Sequence, residues 1–318
     1  MVTSCAFLGS LVGQNQEPIR VGIVGIDTSH AVAFTEILNN PEGKNHVAGA
    51  RVVAAYPGGS DDIPASYERL PKFRQTLEEK YGVEIVSTIP ELLERVDAVL
   101  LESVDGRKHL PQAKEIFKAR LPVFIDKPLA ADLDDARRII ELAKEGNIPF
   151  FSSSSLRFFH GIQRLINNEE IGAIRGADVY SPASLEPNHV DLTWYGIHGI
   201  ESLYAVMGPG CKSVTRFFHP DGEVVVGVWE DGRIGTFRGL RAGATGYGVR
   251  VIGEKKIDVS DPLDGTLYKG LVEQIVTFFK TGSPPVPAEE TLEMFEFMQA
   301  AQLSKDRGGV PVLLDEVR

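Results

Sequence analysis

Two side chains, Lys127 and His198, stand where proton exchange with a hydroxyl group would require them. Oxidising a secondary alcohol removes the hydroxyl proton along with the hydride, so a base must lie within hydrogen-bond reach of that oxygen. Lys127 follows the apolar run Pro122 to Ile125, which reads as a strand, and sits between Asp126 and Pro128. At the carboxyl end of a parallel strand it points into the crevice where open sheets hold ligands. Pro128 fixes its own backbone and biases Lys127 toward an extended conformation. His198 has Trp194 four residues before it and Glu201 three after, so an aromatic wall, an imidazole and a carboxylate share one helix face. Glu201 is expected to orient the ring and raise its basicity, and a pKa near neutrality suits a histidine to proton exchange.

Other polar residues fit substrate positioning. Arg157, after the Ser152 to Ser155 run, either pairs with a polyhydroxyl or carboxylated ligand through its fork of donors or ties two elements together. Asn188, His189 and Asp191 precede the histidine helix. His189 and His198 with Asp191 or Glu201 lack compact ligand spacing, so no metal site is expected. Cys5 and Cys211 match no redox or metal pattern.

The elements that must carry these groups change character near residue 150. Apolar runs at 19–25, 50–56, 83–86, 97–102 and 122–125 alternate with helical spacing at 29–39, 65–81, 90–95, 108–119 and 132–146. That alternation predicts an α/β domain over 19–150, an open parallel Rossmann-type sheet covered by helices on both faces. Beyond it, helices over 158–168 and 194–207 precede strands at 214–219, 223–230, 233–240 and 247–252, separated by Asp-Gly and Gly-rich turns. Two closing helices over 270–280 and 289–305 complete an α+β domain, 151–318, built on a largely antiparallel sheet.

The first strand ends in Gly22-Ile23-Val24-Gly25 and feeds a helix, an arrangement that presents amides to a pyrophosphate. A glycine is expected two residues past Gly25; Asp27 stands there, followed by Thr28, Ser29 and His30. Asp27 either caps the helix or repels a phosphate. After the second strand, Tyr56-Pro57-Gly58-Gly59-Ser60 replaces the acidic residue that would hold a ribose. Ser60 could meet a 2'-phosphate, so the cofactor reads as NAD or NADP without a choice between them. Glu102 and Asp105, at the end of a central strand, either face that ligand or pair with Arg107 and Lys108.

The 318 residues carry 43% hydrophobic and 24% charged side chains and a net charge of -11. An acidic chain without a basic stripe is a poor partner for nucleic acid. Residues 1–18 read as a tail or the remnant of a secretory leader; the apolar stretch from Ala6 to Val12 is too short to span a bilayer. A cytoplasmic location is expected, or a periplasmic or secreted one if the leader reading holds.

Ile125-Asp126-Lys127-Pro128-Leu129-Ala130 resembles the Glu-Lys-Pro signature of the glucose-fructose oxidoreductase, inositol dehydrogenase and MocA family, with Asp126 in place of Glu. Asp97 to His109 resembles its strand ending in Thr-Pro-Asn and a later His, with Ser103, Val104 and Asp105 in those places. Gly196 to Glu201 resembles its histidine-bearing helix, although Trp194 stands where the family commonly has an Asp. The resemblance implies hydride transfer between a nicotinamide ring and a sugar- or polyol-like hydroxyl, or non-redox chemistry that retains the dinucleotide. It implies Lys127 and His198 in catalysis, and Gly22, Gly25, Asp27, Thr28, Ser29, His30, Ser60, Ser103, Asp105, His109, Asp126 and Lys127 around the cofactor. Arg157, His189, Asp191, Trp194 and Glu201 would face the substrate, and a homodimer or homotetramer is expected. The departures at Asp27, Pro57 and Trp194 also fit a cofactor-free binding or regulatory relative.

Overall fold

The computed structural model describes residues 17–318. The tail-or-leader reading of residues 1–16, and Cys5 with it, lies outside the described residues.

The first sheet is parallel, with strands in the spatial order β3-β2-β1-β4-β5-β6. Its elements run β1 (Ile19–Val24), α1 (Ser29–Asn39), β2 (Ala50–Tyr56), α2 (Pro64–Tyr67), α3 (Leu70–Tyr81), β3 (Glu84–Ile85), α4 (Ile89–Leu93), β4 (Ala98–Leu101), α5 (His109–Ile116), β5 (Val123–Asp126), α6 (Leu133–Gly146) and β6 (Phe150–Ser153). The strands are apolar on both faces, as parallel strands must be when helices cover each side; all four residues of β4 and of β5 are buried. The strand order reverses between β1 and β4, and ligands of such sheets bind at the carboxyl ends of that pair.

Two expectations change here. The helix predicted over 65–81 is broken into α2 and α3, because Pro71 has no amide to donate and restarts the helix in its first turn. The run from Phe150 to Ser153 continues the parallel sheet as its sixth strand, paired with β5.

The second sheet has seven strands, β12-β11-β7-β10-β9-β8-β13, antiparallel apart from the β7–β10 pair. Its elements are α7 (His160–Ile166), β7 (Ile174–Pro182), α8 (Ile197–Met207), β8 (Cys211–His219), β9 (Gly222–Trp229), β10 (Ile234–Leu240), β11 (Gly248–Gly253), β12 (Ile257–Val259), α9 (Lys269–Thr281), α10 (Ala288–Asp306) and β13 (Val312–Leu313). β7, unread in the sequence, is central to it. Helices α8 and α10 pack on one face, and Gly199 brings α8 so close that a Cβ there would lie 2.2 Å from a Phe237 ring carbon. The chain then returns to the first sheet, where Leu271, Val272, Ile275 and Phe278 of α9 pack with Phe34 and Phe124. Among the described residues no helix is long and apolar enough to cross a membrane.

Candidate active site

The site lies where β5, β6, the start of α1 and the start of α8 meet. A cavity of about 620 Å³ is lined there by Ser29, His30, Lys127, Trp194, Tyr195 and His198, with Tyr247 and Tyr268 closing the far wall. Lys127 arrives from the end of β5 as the sequence places it, through a cis Lys127–Pro128 peptide.

His198 reaches the cavity because the turn before α8 is a wide π-helical one over Leu192–Gly196. Its Nδ1 lies 2.8 Å from the Ser154 hydroxyl, and Tyr195 meets the ring edge-on at 5.1 Å between centroids. Burial, then the charges of Lys127 and His30, hold its pKa well below the usual range, so the imidazole is neutral at pH 7. This corrects the expected carboxylate partner. Glu201 points elsewhere: it accepts from Ser153 Oγ at 3.0 Å and from Arg157 Nε.

Arg157 is correspondingly not free for a ligand. Its guanidinium is held between Glu201 and, at 2.6 Å, Glu290; burial would lower its pKa, but the two carboxylates outweigh that and keep it charged. Of its two sequence readings, the tie between elements is the one the structure shows. Asp191 is likewise committed, to Arg216 at 3.1 Å and Lys305 at 2.6 Å. His189 packs against Trp194 at 5.2 Å and supports it from behind the cavity. Of the residues read as facing the substrate, Trp194 alone lines the cavity.

His30 and Asp126 form a pair that sequence reasoning had separated. His30 Nδ1 lies 2.6 Å from Asp126 Oδ2, its ring stacks on Phe34 at 5.3 Å, and it lines the cavity. Burial alone would raise the Asp126 pKa; the charge and hydrogen bond of His30, with Lys127 beside it, hold it below the usual carboxylate range. A buried carboxylate on one nitrogen fixes the ring's orientation and tautomer.

The residues expected around a pyrophosphate are arranged differently. Gly22 is a packing glycine, since a Cβ there would lie 2.5 Å from Leu92 Cδ2. Gly25 does make the turn, at φ 90°, but a Cβ on it would meet Ser103 N at 2.4 Å. The amide of Ile26 donates to Pro57 O at 2.9 Å. Thr28, not Asp27, caps α1. Asp27 accepts from Ser66 Oγ at 2.6 Å and from Val104 N at 3.1 Å. Ser60 gives its hydroxyl to Asp105 at 2.6 Å, and Asp105 also pairs with Arg107 at 2.8 Å. His109 is buried between the carbonyls of Ser103 and Leu129, at 2.8 and 3.2 Å. Glu102 is fully buried with neither oxygen hydrogen-bonded among the described residues. Burial, with Asp126 and Asp27 nearby, pushes its pKa well up.

Only Thr28, Ser29, His30 and Lys127 of that set line open space. A second cavity of about 590 Å³, lined by Tyr56, Gly58, Gly59, Thr88, Lys108 and Gln112, lies beyond the ends of β2 and β3 where an adenosine would sit, but no residue lines both cavities. As folded, the residues between them do not fit a diphosphate. Tyr195, Tyr247, Tyr268 and Ser154 went unread as site residues. Tyr195 was within reach, three residues before His198 on the same helical face, whereas Tyr247 and Tyr268 come from loops far away in the chain.

Residues 19–154 match the GFO_IDH_MocA family, described as an oxidoreductase family with an NAD-binding Rossmann fold. The match spans the first sheet, less than half of the chain, and includes the Asp126-Lys127-Pro128 motif. A myo-inositol 2-dehydrogenase of Thermotoga maritima is 30% identical over 161 residues, 50% of this chain and 47% of that protein. Four such curated relatives are matched over only 29% to 47% of their own length. The crystal structure of a probable dehydrogenase from Thermotoga maritima superposes with a TM-score of 0.77 at 23% identity, over 94% of this chain and all of that one. That of myo-inositol dehydrogenase from Lactobacillus casei, in complex with NAD(H) and myo-inositol, gives 0.73 at 18% identity, over 93% and 97%. These two establish the fold across both sheets.

Proposed function

We propose that the protein is an enzyme of this oxidoreductase family that binds a polyol- or sugar-like molecule in the 620 Å³ cavity and reacts at one of its hydroxyl groups. The observation that carries this reading is the convergence of Lys127, the His30–Asp126 pair and His198 on one space walled by Trp194, Tyr195, Tyr247 and Tyr268. Aromatic faces suit the C–H faces of a sugar ring, and a few convergent polar groups fix its hydroxyls. His30, oriented by Asp126, takes the hydroxyl proton; Lys127 stabilises the oxygen left behind; neutral His198 hydrogen-bonds the neighbouring hydroxyl and relays through Ser154.

The named activities of the relatives support a polyol hydroxyl as the reacting group, and the family's fold supports NAD or NADP as its redox partner. The closed passage between the two cavities favours a second reading, in which the polyol site works without a dinucleotide. Residues 19–153 carry the dinucleotide-type sheet and 154–318 the substrate sheet in either case.

Self-association through the second sheet is part of the proposal. Opposite α8 and α10, Phe217, Val224, Val226, Val228 and Ile234 share one face through the register of β8, β9 and β10. Phe217 is 59% and Ile234 53% exposed, an apolar stripe of the kind that a second copy covers.

The test is calorimetric titration of inositols, aldoses and linear polyols, followed by the same panel with NAD or NADP and absorbance at the NADH band. Saturable binding that Lys127→Ala and Trp194→Ala abolish supports the site. No binding of any polyol or sugar, with or without dinucleotide, refutes it.

A further inference from the structure

We infer that this chain takes no dinucleotide across its Rossmann sheet, because the diphosphate crossing is sealed by the protein's own side chains. The inference builds on the polyol reading of the neighbouring cavity only in saying what that cavity does without a cofactor.

A diphosphate over such a sheet needs free amides after the first strand, a glycine where the backbone approaches the phosphates, and no negative charge. At the first amide and at the approach position this chain offers something else. The amide of Ile26 is taken by the carbonyl of Pro57. The approach position is Asp27, whose carboxylate is bonded on both oxygens, to Ser66 Oγ and to the Val104 amide. Ser66 in turn accepts the Ser60 amide at 2.8 Å, and the Ser60 hydroxyl reaches Asp105. Arg107 then clamps Asp105 to Asp62, with 2.8 Å to each.

That chain of bonds joins the turn after β1, the loop after β2, helix α2 and the end of β4, which are the elements a dinucleotide would hold apart. Asp27, Ser60, Ser66, Ser103 and Asp105 are each no more than 2% exposed. A phosphate entering here would displace buried, satisfied groups and meet the carboxylates of Asp27 and Asp105 at close range, where repulsion is only weakly screened. His30, three residues past Asp27, fills the space over the sheet toward Asp126 and presents its ring to the polyol cavity. The site therefore keeps its acid–base groups and its sugar-binding wall while the redox partner's seat is gone.

The protein purified under native conditions would be examined by native mass spectrometry for co-purified dinucleotide, then titrated with NADH and NADPH by fluorescence. Thermal shift with NAD and NADP to about 1 mM completes the set. The expected result is no bound dinucleotide, no saturation and no shift, while Asp27→Gly and Ser66→Ala, each checked for a native circular dichroism spectrum, gain at least tenfold in NADH affinity. Co-purified dinucleotide, or wild-type saturation below about 100 μM, overturns the inference. Folded variants that gain nothing overturn the assignment of the seal to these residues. Titration of myo-inositol without any dinucleotide is read separately: binding supports the cavity reading, and its failure refutes that reading while the dinucleotide result still stands.

Discussion

Glu102→Gln should gain stability over the wild type as pH rises. Glu102 is wholly buried at the end of β4, neither of its oxygens is hydrogen-bonded among the described residues, and the charges acting on it are those of Asp126 and Asp27. Burial first, and those two carboxylates second, raise its pKa well above the ordinary 4.5. A raised folded-state pKa means that the unfolded chain releases the proton at lower pH than the native one. The carboxyl's contribution is therefore fully present below the unfolded value and is lost as pH climbs toward the folded one. While the native group stays protonated, the loss is about 1.4 kcal/mol per pH unit. Between pH 5 and 7 the full slope comes to at most about 2.7 kcal/mol. Glutamine has nearly the same shape and does not titrate, so its own unsatisfied amide adds a pH-independent offset that cancels in the slope. Urea denaturation of both proteins at half-unit intervals from pH 5 to 8 measures the difference directly. A difference flat in pH, or one in which the wild type gains on the variant as pH rises, would refute the reasoning, since it would mean that a cation reaches Glu102.

Glu201→Ala leaves Arg157 buried with one of its two carboxylates gone, and a loss of about 3–5 kcal/mol in chemical denaturation is expected. His198→Ala is the contrast: its partner is a serine hydroxyl, so ligand affinity or turnover should fall at least tenfold while the melting temperature changes little, and equal loss of both would argue for a purely structural histidine. Gly25→Ala forces a side chain onto a φ of 90° and against Ser103; roughly 3 kcal/mol of destabilisation is expected from strain and overpacking together, read by thermal unfolding. Val226→Arg on the open face of β9 should yield a monomer by light scattering where the wild type is a dimer or larger, and an unchanged mass would remove that face from the assembly.

The first sheet was legible because its strands are buried on both sides and so read as apolar runs, with helices spaced between them. Lys127 was legible for a related reason: a parallel strand that ends in Asp-Lys-Pro delivers its last side chains to the ligand edge whatever surrounds them. β7 was missed because Gly176 and Asp178 interrupt its alternation; what makes it a strand is its pairing with β10 and β11, a property of the sheet. The roles of the carboxylates were undecidable along the chain. Glu201 lies one helical turn from His198, yet Arg157, 44 positions earlier, claims it, because a buried guanidinium binds a carboxylate more strongly than an imidazole that burial has made neutral. Asp27 offered two readings, cap or repulsion, and the structure takes neither as the whole account, since the carboxylate is spent on Ser66 and Val104. Sequence by itself determined the alternation of the first sheet and its ligand edge, because both follow from local periodicity and turn chemistry. Tertiary structure alone decided which polar group bonds which, because buried charges find partners in space, and most of the partners here lie tens of residues apart.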